Sequence, residues 1–176
     1  MYIGCSNFNY GSLFLLQKIK ELFILYLYNI YMKIVYTDGI FDLFHRGHLE
    51  YLKACKNILK DSGEEDVFLI VGIVNDKDAT GYKRIPIYNE NDRYEIIENV
   101  KCVDKIIKDA PLIINEGFMM EHDIDFVVHS FSNASDEGAQ DEFFKVPIQM
   151  GKFKKIQYYS SISTTDIIKK INSMNE

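Results

Sequence analysis

Hydrophobic and polar positions divide the chain into two unlike parts. From Lys33 onward, short apolar runs alternate with stretches of helical spacing, separated by polar breaks. Lys33-Ile-Val-Tyr-Thr37 reads as a strand, and a helical stretch from about Gly47 to Leu59 follows it. Asp61-Ser-Gly-Glu-Glu65 is a polar break, after which Val67–Val74 is continuously apolar, the mark of a strand covered on both faces. Asn89–Val100 has helical spacing, with Asn89 as its N-cap. Val103–Ile107 predicts a third strand, Asn115–His122 a helix, and Ile124–Val128 a fourth strand. Beyond a polar loop, a fifth strand is expected near Phe153–Gln157 and a last helix over Ser163–Ile171. No internal repeat is visible. Five strands alternating with helices imply a single α/β domain, doubly wound and Rossmann-like, around a five-stranded parallel sheet.

Residues 1–31 follow a different pattern. Leu13–Tyr31 is largely apolar but is interrupted by Lys18, Lys20 and Glu21. The unbroken part, Leu22–Tyr28, is seven residues, far short of the roughly 20 that a membrane-spanning helix needs. No basic segment precedes it and no small-residue cleavage site follows, so it does not read as a secretory signal. Two readings remain: an amphipathic segment resting on a membrane or on the domain, or an extension outside the functional unit. The second is preferred, with residues 32–176 as the functional unit and Met32 as a natural start. Membrane contact is expected only through residues 13–31.

Composition narrows the class. The chain has 176 residues, of which 47% are hydrophobic and 26% charged; that is enough apolar material for one sizeable core and too much for a disordered chain. With a net charge of −6 and no Lys/Arg-rich stretch, nucleic acid is not an expected partner, since neutralising phosphates takes clustered cations. Cys5, Cys55 and Cys102 are odd in number and scattered, which argues against a disulfide framework or a CxxC metal site and for a reducing cytoplasm.

Chemistry concentrates after the first strand, in Tyr36-Thr-Asp-Gly-Ile-Phe-Asp-Leu-Phe-His-Arg-Gly-His48. Ligands of such sheets bind beyond the carboxyl ends of the strands. His45 and His48 stand three apart where a loop becomes a helix, so both imidazoles face one side. Gly47 leaves the backbone open to a phosphate, and the helix N-terminus adds its positive end. Taken in isolation, an H-x-x-H pair is most often a pair of surface histidines; its position right after the first strand points instead to phosphate binding.

These residues resemble the HxGH signature of the nucleotidyltransferase superfamily, and the wider context resembles the cytidylyltransferases of phospholipid synthesis. The matching segments are Leu69–Asp76, Lys83, Asn89-Glu-Asn-Asp-Arg-Tyr94, Ala110-Pro111, Glu121–His129 and Ile162-Ser-Thr-Thr-Asp-Ile-Ile168. Together they cover residues 33–171, and the choline type fits better than the glycerol type, with ethanolamine close behind. The resemblance implies transfer of a cytidylyl group from CTP to a phosphorylated amino alcohol, giving a CDP-alcohol and pyrophosphate. It implies catalytic roles for His45, His48 and Lys83. The nucleotide would be bound by Ile40, Phe41, His45, His48, Asp76, Arg93, His129, Ser163, Thr164 and Thr165. Asp38, Asp42 and Lys83 would face the second substrate, with Asp42 alternatively a helix cap and Arg93 alternatively a solvated helix residue. His122 reads as a surface helix residue. Mg²⁺ would be held mainly through the CTP phosphates, with no protein ligand named, and the chain would form a homodimer with the HxGH loop near its interface.

The pattern also departs from that family. Tyr158-Tyr-Ser-Ser161 stands where an Arg-Thr-x-Gly stretch is usual, so a bidentate phosphate contact is lost unless Lys154 or Lys155 supplies one. Leu112 and Ser130 replace an aromatic and an acidic residue, which depletes a cage for a quaternary ammonium and leaves Phe131 and Asp38 to serve. The sequence ends at Glu176 without the long amphipathic helix by which animal choline-type enzymes sense membranes. Two alternatives follow: a catalytically weak CTP-binding module of the same fold, or a transferase for another nucleotide or phospho-alcohol.

Overall fold

The computed structural model describes residues 15–20, 32–60 and 67–174. Residues 1–32 and 33–176 form separate compact units. In the first, residues 15–20 are helical and exposed; most of the segment 13–31 weighed above for membrane contact lies outside the described residues. Among the described residues, no helix is long and apolar enough to cross a membrane.

The second unit holds five strands: β1 (Lys33–Gly39), β2 (Val67–Ile73), β3 (Lys105–Lys108), β4 (Phe126–His129) and β5 (Phe153–Lys155). They form one sheet in the order β3-β2-β1-β4-β5, and every pairing is parallel. The described helices are α1 (Arg46–Lys56), α2 (Asp76–Tyr82), α3 (Glu90–Glu98), α4 (Glu116–Glu121), α5 (Ala134–Ala139), α6 (Asp141–Gln149) and α7 (Thr164–Ser173).

Strand alternation divides the core between the two faces of the sheet. On one face, Val35, Leu69, Val71 and Val128 pack with Leu52 and Cys55 of α1 and Ile97 of α3. On the other, Tyr36, Ile70 and Val127 pack with Met119 of α4 and Phe144 of α6. Growth from β1 to β2 to β3 uses the first face, and the chain then crosses to β4 on the far side of β1 and uses the second. The result is the doubly wound parallel sheet expected from the alternation.

Two helical regions differ from the sequence-based reading. α2, Asp-Lys-Asp-Ala-Thr-Gly-Tyr, is short and poor in helix formers; it is started by Asn75, whose side chain accepts from the Asp78 N–H. α5 and α6 occupy the stretch expected to be a polar loop. Pro147 inside α6 cannot donate to the Phe143 carbonyl one turn back. That carbonyl accepts instead from the Ile114 N–H at 2.9 Å, so the break in the helical ladder becomes a tertiary link.

Candidate active site

The order of strands reverses between β1 and β4, and a crevice opens there beyond their carboxyl ends. It is a cavity of about 490 Å³ lined by Asp38, Ile40, Phe41, Asp42, His45, His48, Lys83, His129, Ser163, Thr164 and Thr165 among others. Of the residues singled out in the sequence, Asp76 and Arg93 are not in this wall.

His45 is the N-cap of α1, with Nδ1 accepting from the Gly47 N–H at 3.0 Å. That bond occupies the Nδ1 lone pair, so a neutral His45 carries its proton on Nε2. Nε2 lies 3.5 Å from the Thr164 hydroxyl. The His45 and His48 rings stack with centroids 3.9 Å apart and planes inclined by 17°. Burial lowers the pKa of both. In His45 the Asp166 carboxylate opposes the shift. His48 is pushed down to about 3 by burial and by neighbouring His45, with Asp42 opposing and Lys83 adding a little. At neutral pH both are uncharged donors rather than cations. Gly47 is buried in the cavity wall. A Cβ there would lie 2.7 Å from the His45 ring and 2.9 Å from the Ile162 carbonyl, so the missing side chain makes room for the His45 imidazole.

Phe41 and Leu43 hold positive φ angles of 55° and 46°, in a region that costs a non-glycine residue about 1 kcal/mol or more. Asp42, between them, holds that loop in place. Its carboxylate accepts from the Ile87 and Tyr88 N–H groups, both at 3.0 Å, and from Arg84 Nη1 at 2.8 Å. Burial alone would raise its pKa, but these donors outweigh it and hold the carboxyl below its ordinary value. Its backbone carbonyl accepts from the Thr164 hydroxyl at 3.1 Å. Asp42 is therefore neither the cap of α1, which is His45, nor a free carboxylate facing a substrate. It ties together the β1 loop, the 84–88 loop and the start of α7.

Arg93 is completely buried, neither at the cavity nor in solvent. Its guanidinium donates to the carbonyls of Tyr88, Ile40 and Val74 and to the Asp76 carboxylate at 2.7–3.2 Å. With these bonds made, it fixes the backbone behind Ile40, and Asp76 is its partner. Asp38 and His129 sit at the ends of β1 and β4, with Oδ1 and Nδ1 3.3 Å apart. Lys83 follows α2, its Nζ 5.4 Å from the Tyr82 ring centre.

Ser163 caps α7 through a reciprocal bond pair with Asp166, which uses the Asp166 N–H. Among the described residues the N–H groups of Thr164 and Thr165 meet no acceptor, and both residues line the cavity. Tyr158 and Tyr159 line the wall just before this turn. Neither lysine considered as a substitute cation reaches the cavity. Lys154 lies over the Phe126 ring, and Lys155 pairs with Glu137 at 2.5 Å. Phe131 packs on His129 outside the wall, and His122 caps the C-terminal end of α4. Sequence reading missed Arg84 and Asp136 as cavity residues; Arg84 directly follows Lys83, and that proximity was the available signal.

Choline-phosphate cytidylyltransferase A of Rattus norvegicus is 38% identical over 137 residues, which are 78% of this chain and 36% of that protein. Ethanolamine-phosphate cytidylyltransferase of Arabidopsis thaliana is 34% identical over 148 residues, 82% of this chain and 34% of that protein. The chain thus spans about a third of the length of these curated relatives. Among solved structures, a lipopolysaccharide core biosynthesis protein from Thermoplasma volcanium superposes with a TM-score of 0.53 and 28% identity, over 73% of this chain and 99% of that one. The profile described as cytidylyltransferase-like matches residues 36–170, from the core of β1 into α7. A match that runs through the sheet, the histidine loop and the α7 turn alike makes this chain a member of the cytidylyltransferase-like family.

Proposed function

We propose that the chain transfers a cytidylyl group from CTP to a phosphorylated amino alcohol. The observation that carries this reading is the stacked, uncharged His45–His48 pair, which shares one cavity wall with Lys83 and the open N-terminus of α7. An oxygen of the substrate phosphomonoester attacks the α-phosphorus of CTP and forms a new P–O bond. The bond from that phosphorus to the bridging α–β oxygen breaks, and pyrophosphate leaves with the electron pair. The nucleophile's second pKa is about 6, so it is already ionised at pH 7 and no general base is needed. What remains is to align two anions and to stabilise charge building at the α-phosphate.

His45 Nε2–H and the His48 ring supply donors at that centre. Because they are neutral, they take part as hydrogen-bond donors rather than as acids. Lys83, a mobile point charge, bridges substrate phosphate and nucleotide. The Thr164 and Thr165 N–H groups and the Thr165 hydroxyl cradle the outer phosphates. Mg²⁺ enters with the nucleotide as part of the substrate. Protein donors already engage two of the three cavity carboxylates, Asp42 and Asp136, and a cation carried on a triphosphate needs few protein ligands. A homodimer and a cytoplasmic location belong to the same reading.

The test is pyrophosphate release by the full chain with Mg²⁺, offering CTP or ATP with phosphocholine, phosphoethanolamine or glycerol 3-phosphate. Turnover is expected with CTP and an amino alcohol. Removing a transition-state donor costs about 10²–10³ in rate, so His45→Ala and Lys83→Ala should each fall by at least about 10². Full activity in both variants overturns the proposal. A second reading, a CTP-binding module with little catalysis, draws on Tyr158 and Tyr159, which bring no charge to the wall beside α7. Bound CTP without product in any combination would favour it.

A further inference from the structure

The cavity wall carries three carboxylates, Asp38, Asp42 and Asp136, against two cations, Lys83 and Arg84. That balance is poor for a polyphosphate, and the Tyr158–Ser161 segment adds no charge to it. Arg84 is the only guanidinium in the wall among the described residues, and its surroundings differ from those of a surface arginine. Asp42, 4% exposed, holds Nη1 at 2.8 Å, and the Ile85 carbonyl lies 3.4 Å from the same nitrogen. Asp42 is itself fixed by two backbone N–H groups, so the guanidinium has an anchored edge. Its other edge, Nε and Nη2, has no acceptor among the described residues, and the side chain is 42% exposed beside Lys83. A planar fork held by one edge presents the other in a defined direction, an arrangement suited to two oxygens of one phosphate.

We infer that Arg84 grips phosphate oxygens of the bound nucleotide, with Asp42 as the positioning residue that aims it. The inference rests on the proposed CTP reaction and adds a phosphate-binding residue to it. Asp42 buries its charge against Arg84, so the pair acts as a neutral, oriented dipole until an anion arrives.

The test uses the full chain and Arg84→Gln, which keeps an N–H donor for Asp42 but removes the charge and the fork, together with Arg84→Lys. Affinities for CTP and for pyrophosphate are measured by titration calorimetry, and that for cytidine by saturation-transfer NMR. Arg84→Gln should weaken CTP and pyrophosphate about 10- to 100-fold and leave cytidine within about twofold; Arg84→Lys should recover part of the loss. Millimolar methylguanidinium should restore CTP binding to Arg84→Gln and have no effect on the wild-type chain. An equal loss for cytidine and CTP, or no loss for either phosphate ligand, overturns the inference. If the wild-type chain binds pyrophosphate through Arg84 but not CTP, the nucleotide reading falls while the phosphate contact stands.

Discussion

The largely buried imidazole of His48 ties stability to pH in a way that a single substitution isolates. In the unfolded chain His48 titrates at its ordinary value of 6.5, and in the folded protein at about 3. Between those values the unfolded state binds the extra proton, so stability is fully present above pH 6.5 and is lost as pH falls toward 3. From pH 7.5 to 5.0 the linkage amounts to about 2 kcal/mol, at 1.36 kcal/mol per pH unit once well below 6.5. His48→Leu removes the titrating group while keeping an apolar side chain of similar size against Phe41 and Phe44, whose rings lie 5.5 and 5.7 Å from it. His45, also shifted down, remains in both proteins, as do the carboxylates, so their contributions cancel in the comparison. Urea unfolding of wild type and variant at pH 7.5 and 5.0 should show the acid-side loss smaller by about 2 kcal/mol in the variant. Equal losses within about 0.5 kcal/mol would refute the placement of His48 as a buried, uncharged ring.

Two further outcomes follow from the geometry. Gly47→Ala places a methyl 2.7 Å from the His45 ring and 2.9 Å from the Ile162 carbonyl; a destabilisation of about 1–3 kcal/mol in urea unfolding is expected, with lower turnover from the displaced imidazole. Asp42→Ala strands two N–H groups and Arg84, and should cost about 2–4 kcal/mol. Arg84→Gln should cost at most about 1 kcal/mol, because Arg84 is part-exposed and the Ile87 and Tyr88 N–H groups still hold the carboxylate; comparable unfolding free energies for the two variants would contradict that hierarchy.

The strands were legible because a sheet buried on both faces writes continuous apolar runs such as Val67–Ile73. Helix starts were legible where Asn89 and Ser163 supply side-chain caps. α6 was hidden by Pro147, which ordinarily argues against a helix interior, and here Ile114 takes over the carbonyl that the proline cannot reach. In the site, spacing placed His45 and His48 on one side of a turn because the contact is local. Arg93 was assigned to the nucleotide, yet it faces inward; a motif fixes which residues lie near a loop and not on which side of it they lie. The bond from Arg84 to Asp42 spans 42 positions in the chain, and no local pattern encodes such a link.

α7 has no buried residue, and its first turn lies at the cavity edge, with Thr164 bonded to the Asp42 carbonyl. Little apolar surface is released when such a helix lifts away, so its local opening should be far less costly than unfolding the sheet. Amide exchange in α7 would then report on the cradle separately from the rest of the domain, and an anion held by the Thr164 and Thr165 N–H groups would slow that exchange by binding only the closed form. Occupancy of the site would thus be recorded in the protection of the helix that completes it.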